Sequence, residues 1–292
     1  MYDVRVVSKL AAQDDIISWW QLSDLDWSRR QIHHHATRQR WQEIHRGVYA
    51  AFHGELTQRQ LWWAATLTAP GTWINAFSAA NNYAFHVSEL GYETIVRVGS
   101  GGKQHLPGLL VARSMTLHGH VGTRAGIAIV SPERALIEIS ASLSESQRGR
   151  AFRESIRLRT TTADGIAKSL AGQRGTRSLA EMCDRYAALP YHRCRSDAES
   201  RALEVFADAG IPIPLVNVPF RGPRPDFHWP RQRLIIEIDS REFHQFPDVD
   251  AGYQATWESA GARVRRFPAA RVYSHPQELV ALYHANVAHA TP

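Results

Sequence analysis

The sequence predicts an α/β protein of about two domains, because 292 residues exceed the roughly 100 to 200 residues of one typical domain. Two local patterns indicate this class. Apolar residues recur at helical spacing near the start of the chain, and a strand, a turn and a second strand are expected near its end. A hydrophobic fraction of 44% and a charged fraction of 21% are ordinary for a globular protein.

Composition also bears on location and redox chemistry. No apolar run approaches the roughly 20 residues that cross a bilayer, and the residues after Met1 lack the cationic and apolar segments of a secretion signal. We therefore expect a cytoplasmic protein without a membrane partner. Cys183 and Cys194 fit no paired ligand spacing, so the sequence predicts two reduced thiols.

The formal charge of +6 is unevenly distributed. Residues 190–292 contain twelve Arg and no Lys against six Asp and six Glu, so the whole excess lies in residues 1–189. A genome that favours arginine codons accounts for the scarcity of lysine. An arginine-rich segment also suits contact with phosphates, because guanidinium binds phosphate through two hydrogen bonds.

The first 70 residues follow the pattern of a winged helix-turn-helix. Helices are expected over 4–12, 18–25 and 29–38, the third capped by Ser28, and two short strands over 41–52. The third helix would then be the recognition helix in the major groove of DNA. Its candidate DNA-binding residues are Arg29, Arg30, His33, Arg38 and Arg40, and His34 and His35 belong to the same basic helix.

The run His33-His34-His35 also suggests a metal site, which helical geometry disfavours. Successive residues on a helix point about 100° apart, so three adjacent histidines do not face one ion. We expect these histidines on the polar surface or facing DNA.

Residues 71–190 are expected to form a mixed and helical middle region. A small-residue helix is predicted over 78–82, and Ser131-Pro132 opens another helix with proline at its first position. We place a domain boundary between Pro190 and Arg195, which leaves 191–292 as the last domain.

Residues 225–239 predict a β-hairpin closed by a four-residue turn. If Trp229 pairs with Leu234 across this turn, the same register places Asp226 opposite Glu237. Opposed side chains lie roughly 5 Å apart at Cβ, so one divalent cation can bridge both carboxylates.

Asp239 follows Glu237 by two residues and is expected on the same face of the strand. Crowded carboxylates repel one another, and such a cost is usually tolerated for a function. A structural alternative is that these acids form ion pairs with arginines that are close in sequence, namely Arg224, Arg231, Arg233 or Arg241.

Two segments resemble known families. Arg46-Gly47-Val48-Tyr49 after a basic helix, followed by Phe77-Ser78-Ala79-Ala80, resembles the N-terminal region of AbiEi-type antitoxins of type IV toxin–antitoxin systems. The likeness covers roughly residues 1–140. It implies a winged-helix DNA binder that represses its own operon and a following domain that neutralises a cognate toxin.

The segment from Ser196 to Val287 resembles the very short patch repair endonucleases of the PD-(D/E)xK superfamily. The resemblance is carried by motifs in the family's order and spacing: Ser196-Asp197-Ala198-Glu199, Pro225-Asp226-Phe227, Glu237-Ile238-Asp239, Phe243-His244 and Gly261-Ala262-Arg263-Val264-Arg265-Arg266-Phe267. It implies a restriction-endonuclease-like mixed sheet flanked by helices.

This resemblance assigns roles around Mg²⁺ or Mn²⁺. Asp226 would be the main metal carboxylate, Glu237 or Asp239 a second, and Ile238 a carbonyl ligand. His244 would contact phosphate or water, and Glu199 would be an auxiliary acid. Glu199 also fits a capping box with Ser196, and His244 fits a hydrogen-bonded polar residue at a strand end.

The chain departs from the superfamily at the lysine two residues after the strand acid, where it has Asp239. Relatives often have glycine at the position of Ser240 and an Arg-Asp pair at Tyr253-Gln254. The leading interpretation is metal-dependent cleavage of DNA. The second is a non-catalytic, antitoxin-like repressor whose nuclease-like domain binds DNA or a partner protein.

Overall fold

A computed structural model describes residues 3–38, 41–173, 175–239 and 247–287. The chain forms two compact units, Met1–Arg148 and Gly149–Pro292. The domain boundaries that the sequence predicts near residues 70 and 190 remain predictions.

The first unit begins with the expected helices and hairpin. Ser18 and Ser28 each begin a helix with a capping box. The serine hydroxyl accepts a backbone N–H of the first turn, and the side chain of the glutamine three residues later accepts the backbone N–H of the serine. One strand was not expected, and it completes an antiparallel sheet in the order β1-β3-β2. The elements are α1 (Val4–Ala12), β1 (Ile16–Ser18), α2 (Trp19–Asp24), α3 (Arg29–Thr37), β2 (Gln42–His45) and β3 (Val48–Ala50).

A small apolar core holds these elements together. Ile32 is the residue of α3 that enters this core, beside the fully enclosed Leu22 and Trp41. Burying one such side chain contributes roughly 1.5 to 3 kcal/mol, so the group can anchor a short helix. The cluster consists of Val6, Leu10, Ile17, Leu22, Ile32 and Trp41.

The rest of the first unit is a mixed sheet with helices. Its strands follow the order β6-β7-β5-β4-β9-β8, and Ser131 caps a helix with Pro132 at its first position, as predicted. The elements are α4 (Gln58–Thr66), β4 (Thr72–Ile74), α5 (Ala76–Asn82), β5 (Glu93–Val98), β6 (Gln104–Leu106), β7 (Leu109–Ser114), β8 (Val121–Arg124), β9 (Ile127–Val130) and α6 (Pro132–Ser140). Helix α7 (Glu145–Arg157) continues into the second unit.

The second unit is α/β, with a sheet in the order β10-β11-β12-β13. The first three strands are antiparallel, and β13 runs parallel to β12. Its elements are α8 (Ala163–Ser169), α9 (Arg177–Tyr186), a 3₁₀ turn (Tyr191–Arg193), α10 (Asp197–Asp208), β10 (Leu215–Val216), β11 (Phe227–Trp229), β12 (Leu234–Asp239), α11 (Pro247–Ser259), β13 (Arg263–Pro268), α12 (Ala269–Ser274) and α13 (Pro276–Val287).

Two expectations from composition can be compared with the structure. Cys183 and Cys194 are buried and free, which confirms the prediction of unpaired thiols. Every helix in the described ranges is too short or too polar to cross a bilayer.

The turn between β2 and β3 depends on Gly47, which has a φ of 75°. A Cβ at this position would collide with the indole ring of Trp19. We expect Gly47→Ala to lower the free energy of unfolding by about 2 kcal/mol, because the added Cβ clashes with Trp19 and alanine disfavours a positive φ. Urea denaturation monitored by circular dichroism measures this loss.

Gly91→Ala is the matched control, because a Cβ at Gly91 meets no atom within 4 Å. Its stability should stay within about 0.5 kcal/mol of the parent. Equal losses in the two variants would contradict the role of the Gly47 turn.

Candidate functional site

The hairpin of β11 and β12 has the register that the sequence predicts. Trp229 pairs with Leu234, and the preceding pairs are His228 with Ile235 and Phe227 with Ile236. The amide of Arg233 donates to the carbonyl of Pro230 over 3.1 Å, which closes the four-residue turn. The next position along the same register brings Asp226 to Glu237.

Beyond the last paired residues of β11 and β12, the two carboxylates form hydrogen bonds with the backbone of the opposite strand. The Asp226 backbone N–H donates to Glu237 Oε1 over 2.8 Å. The Ile238 backbone N–H donates to Asp226 Oδ2, also over 2.8 Å. Each acid is therefore fixed by the backbone of the opposite strand, and the Asp226 side chain is held in the interior with only 6% of its residue surface exposed.

The groups around Asp226 are Arg195 before α10, Glu199 in its first turn and Asn217 directly after β10. Arg195 Nη2 donates to Asp226 Oδ1 over 2.7 Å and forms an ion pair with it. Glu199 Oε2 accepts hydrogen bonds from the Arg195 backbone N–H over 2.9 Å and from Asn217 Nδ2 over 2.7 Å. The Asn217 backbone N–H in turn donates to the Asp226 carbonyl over 3.1 Å.

Glu199 combines a capping contact with this position beside Asp226. The Ser196 hydroxyl accepts the Glu199 backbone N–H over 3.1 Å, and it donates to Glu199 Oε1 over 3.0 Å. The serine therefore caps α10 as expected. In a capping box the Glu199 side chain would accept the backbone N–H of Ser196. Here it accepts the backbone N–H of Arg195, one residue before the cap.

Burial and the negative charge of a neighbouring acid raise the pKa values of both hairpin acids. Burial is the larger cause for Asp226, followed by the negative charge of Glu199, and Arg195 opposes both. For Glu237, burial again comes first and the charge of Asp226 second, which together raise its pKa well above the ordinary carboxylate range. A group with such a pKa can exchange protons near neutral pH.

Asp239 and His244 are the remaining residues that the sequence predicts for this site. Asp239 forms an ion pair with Arg266 over 3.1 Å. His244 lies outside the described residues. In the described ranges no group of three or more His, Cys, Asp or Glu side chains is placed to hold a metal ion, so a cation here would depend on Asp226, Glu237 and the carbonyl of Ile238.

The arginines expected as structural partners of these acids are not the ones found. Asp226 pairs with Arg195 and Asp239 with Arg266, which come from distant segments. Among the described residues, Arg224, Arg231 and Arg233 form no ion pair with these acids, and Arg241 lies outside that part of the chain.

Helix α3 presents most of the proposed DNA-binding residues to solvent. Arg29, Arg30, His33 and Arg38 are exposed, whereas Arg40 lies outside the described residues. His35 corrects the expectation for the histidine run, because its ring lies 5.0 Å from that of Trp27 and 5.2 Å from that of Trp41. His35 is therefore half-buried against these tryptophans and does not lie on the exposed polar surface.

Sequence patterns did not identify Arg195 or Asn217 as site residues. Arg195 was named in the sequence only as the end of the predicted domain boundary. Asn217 has a φ of 50°, a left-handed conformation that asparagine tolerates better than most residues, but no motif around it indicates that position.

Comparisons with known proteins give a distant relationship and no function. Two uncharacterized proteins of Mycobacterium tuberculosis, MT2308 of strain CDC 1551 / Oshkosh and Rv2248 of strain ATCC 25618 / H37Rv, are each 26% identical to this chain over 185 residues. The match covers 60% of this chain and 62% of each relative. No family model matches the sequence.

The raised pKa values make stability depend on pH. The folded state retains protons that the unfolded chain, with carboxyl pKa values near 4, has already released. The free energy of unfolding should therefore fall as the pH rises from about 4 through neutrality. Glu237→Gln retains an oxygen for the Asp226 N–H and removes the repulsion, so it should flatten this decline and add about 1 kcal/mol of stability at about pH 8.

Urea denaturation across this pH range measures the effect. Glu258→Gln is the control, because Glu258 is exposed and lies at the end of α11. A parallel decline in the parent and in Glu237→Gln would contradict the repulsion between Asp226 and Glu237.

Proposed function

We propose that this chain binds DNA and hydrolyses its phosphodiester bonds with the help of Mg²⁺ or Mn²⁺. One observation carries the proposal: the β11–β12 register fixes two carboxylates together, with their pKa values raised by burial and repulsion. Structures usually avoid such an arrangement unless a site requires it. The resemblance to very short patch repair endonucleases supports this proposal.

The donor chemistry fits a hard divalent cation. Mg²⁺ is commonly held by one or two carboxylates together with substrate phosphate, which matches a set of Asp226, Glu237 and the Ile238 carbonyl. When bound, the cation would polarise the phosphoryl group and lower the pKa of a water molecule. The requirement for a lysine base is thereby reduced, and Asp239 occupies that position here.

The protein's own groups have separate tasks in this proposal. Glu237 would release a proton when a cation binds, because burial and the charge of Asp226 raise its pKa in the free protein and a ligating carboxylate is ionised. Glu199 is a positioning residue: it accepts the Arg195 backbone N–H and the Asn217 side-chain amide. The guanidinium of Arg195 and the backbone N–H of Asn217 then contact Asp226. Substituting Glu199 would therefore disturb Asp226 without removing a metal ligand.

Residues 1–70 are proposed to bind DNA as a winged helix. The exposure of Arg29, Arg30 and His33 on α3, and of Arg38 directly after it, supports this role, because phosphate contacts supply most non-specific affinity for DNA. The resemblance to AbiEi-type antitoxins adds a cognate toxin as a proposed partner.

A second candidate function is an antitoxin-like regulator without catalysis. It is favoured by the hydrogen bonding of Asp226, since one oxygen contacts Arg195 and the other contacts the Ile238 N–H. A carboxylate with both oxygens paired can be purely structural. In this case the second unit would bind DNA or a partner protein.

Catalysis is tested by nicking of supercoiled plasmid. The parent should nick DNA with Mg²⁺ or Mn²⁺ and not with EDTA. Asp226→Asn and Glu237→Gln remove a ligand charge at nearly constant shape, so each should lose more activity than the roughly 10- to 100-fold that loss of an outer-shell contact costs. Agarose gel electrophoresis of time courses measures the rates.

Glu258→Gln should nick DNA at the parental rate. Activity that persists in both site variants or in EDTA would sink the metal-site assignment. A folded parent that binds DNA but cuts none with either metal would favour the regulator.

The DNA-binding role of α3 is tested by the salt dependence of affinity. Replacing Arg29 and Arg30 with Ala should weaken binding of duplex DNA and reduce the slope of log affinity against log salt by about 2. With two fewer phosphate contacts, fewer counterions are released when the protein binds. Fluorescence anisotropy at several salt concentrations measures both quantities.

The matched control replaces Lys168 and Arg177 with Ala. These exposed residues of α8 and α9 carry the same total charge but form ion pairs along their own helices. If the control flattens the slope as much as the α3 variant, the effect reflects net charge and the recognition helix is wrongly assigned.

A further inference from the structure

A basic cavity of about 440 Å³ lies beside the hairpin site in the second unit. This volume is in the range of roughly 300 to 1,000 Å³ that is typical of ligand pockets. Its polar lining consists of Arg159, His192, Arg193, Arg195, Asn217 and Arg224. Four guanidinium groups therefore converge on one concave surface.

The positive charge of this cavity is largely uncompensated. Arg195 pairs with Asp226. Within the described residues, Arg159, Arg193 and Arg224 form no ion pair with a carboxylate, and all three are exposed. Like charges held together repel one another, so the folded chain gains when an anion enters.

The backbone around the cavity is fixed before any ligand binds. Asn217 Nδ2 donates to the Arg193 carbonyl over 3.0 Å. Arg157 Nη1 donates to the Arg195 carbonyl over 3.2 Å, and Arg195 Nη2 lies 3.4 Å from the Arg224 carbonyl. A fixed backbone limits the entropy lost on binding to that of the arginine side chains themselves.

An acceptor also lies in the lining. Asn217 Oδ1 is buried and has no hydrogen-bond partner among the described residues. Because this oxygen is enclosed, the guanidinium groups and not this acceptor would recognise a ligand in the cavity, which points to an anion.

We propose that the cavity binds the terminal phosphate of a nucleic-acid strand. A terminal phosphomonoester carries about −1.5 to −2 charge at neutral pH, whereas an internal phosphodiester carries a single charge, so several uncompensated guanidiniums match a strand end better. The strand would extend toward Asp226 and Glu237, because Arg195 contacts both the cavity and Asp226. The choice of nucleic acid as ligand rests on the proposed function.

The test measures binding of the full chain in EDTA, so that no cleavage occurs. The probes are a short labelled single strand with a 5′-phosphate, a 3′-phosphate or hydroxyls at both ends, and inorganic phosphate as competitor. The strand with a 5′-phosphate or the strand with a 3′-phosphate should bind about tenfold more tightly than the hydroxyl-ended strand, as expected for a few charge-assisted hydrogen bonds.

The variant Arg193→Ala combined with Arg224→Ala should abolish this preference. Arg231→Ala removes an exposed arginine outside the cavity lining and should keep the preference. Equal affinity of all three strands, an unchanged preference in the double variant, or inorganic phosphate binding as tightly as the phosphorylated strand would each overturn the proposal.

Plasmid nicking by the parent separates this proposal from the proposed function. An active nuclease without preference for a terminal phosphate overturns the cavity assignment alone. An inactive protein that keeps the preference, and loses it in the double variant, supports the cavity assignment and overturns the nuclease.

Discussion

The pairing register of β11 and β12 is the constraint on which the candidate site depends. A shift by one residue would turn every side chain of a strand to the opposite face. Such a shift is opposed by packing, because Phe227 and Trp229 contact Phe206 whereas His228 between them contacts Phe220. The hydrophobic core thereby fixes Asp226 against Glu237, and the core's stability offsets the repulsion between the two acids.

A buried ionic network sets the position of the other half of the site. Arg153 of α7 is almost fully enclosed and contacts Asp197 over 2.7 Å and Glu204 over 3.1 Å. Tyr191 donates to Glu204 over 2.9 Å. Removing one partner from such a network leaves a buried charge unpaired and costs several kcal/mol. The start of α10, and with it Glu199, is therefore held in one place relative to α7 and to the 3₁₀ turn.

Local rules predicted the hairpin but did not predict its surroundings. The turn, the register and the Ser196 cap each depend on residues within about a dozen positions, so sequence periodicity and turn chemistry suffice. The pairing of Arg195 with Asp226 joins residues 31 positions apart, and Arg153 reaches Asp197 across 44. The choice of one arginine among twelve in residues 190–292 is made by tertiary packing. For the same reason Arg224, Arg231 and Arg233 were reasonable but incorrect expectations as partners.

Arg195 couples the two proposed ligands. Its guanidinium neutralises Asp226 and also lines the basic cavity. A divalent cation at Asp226 would compete with Arg195 for the same carboxylate, and a phosphate in the cavity would attract the guanidinium that is released. Each ligand thus lowers the cost of binding the other, and this coupling is reciprocal by thermodynamic linkage. The ion pair that favours a structural role for Asp226 in the free protein is then compatible with a metal site that assembles when nucleic acid binds.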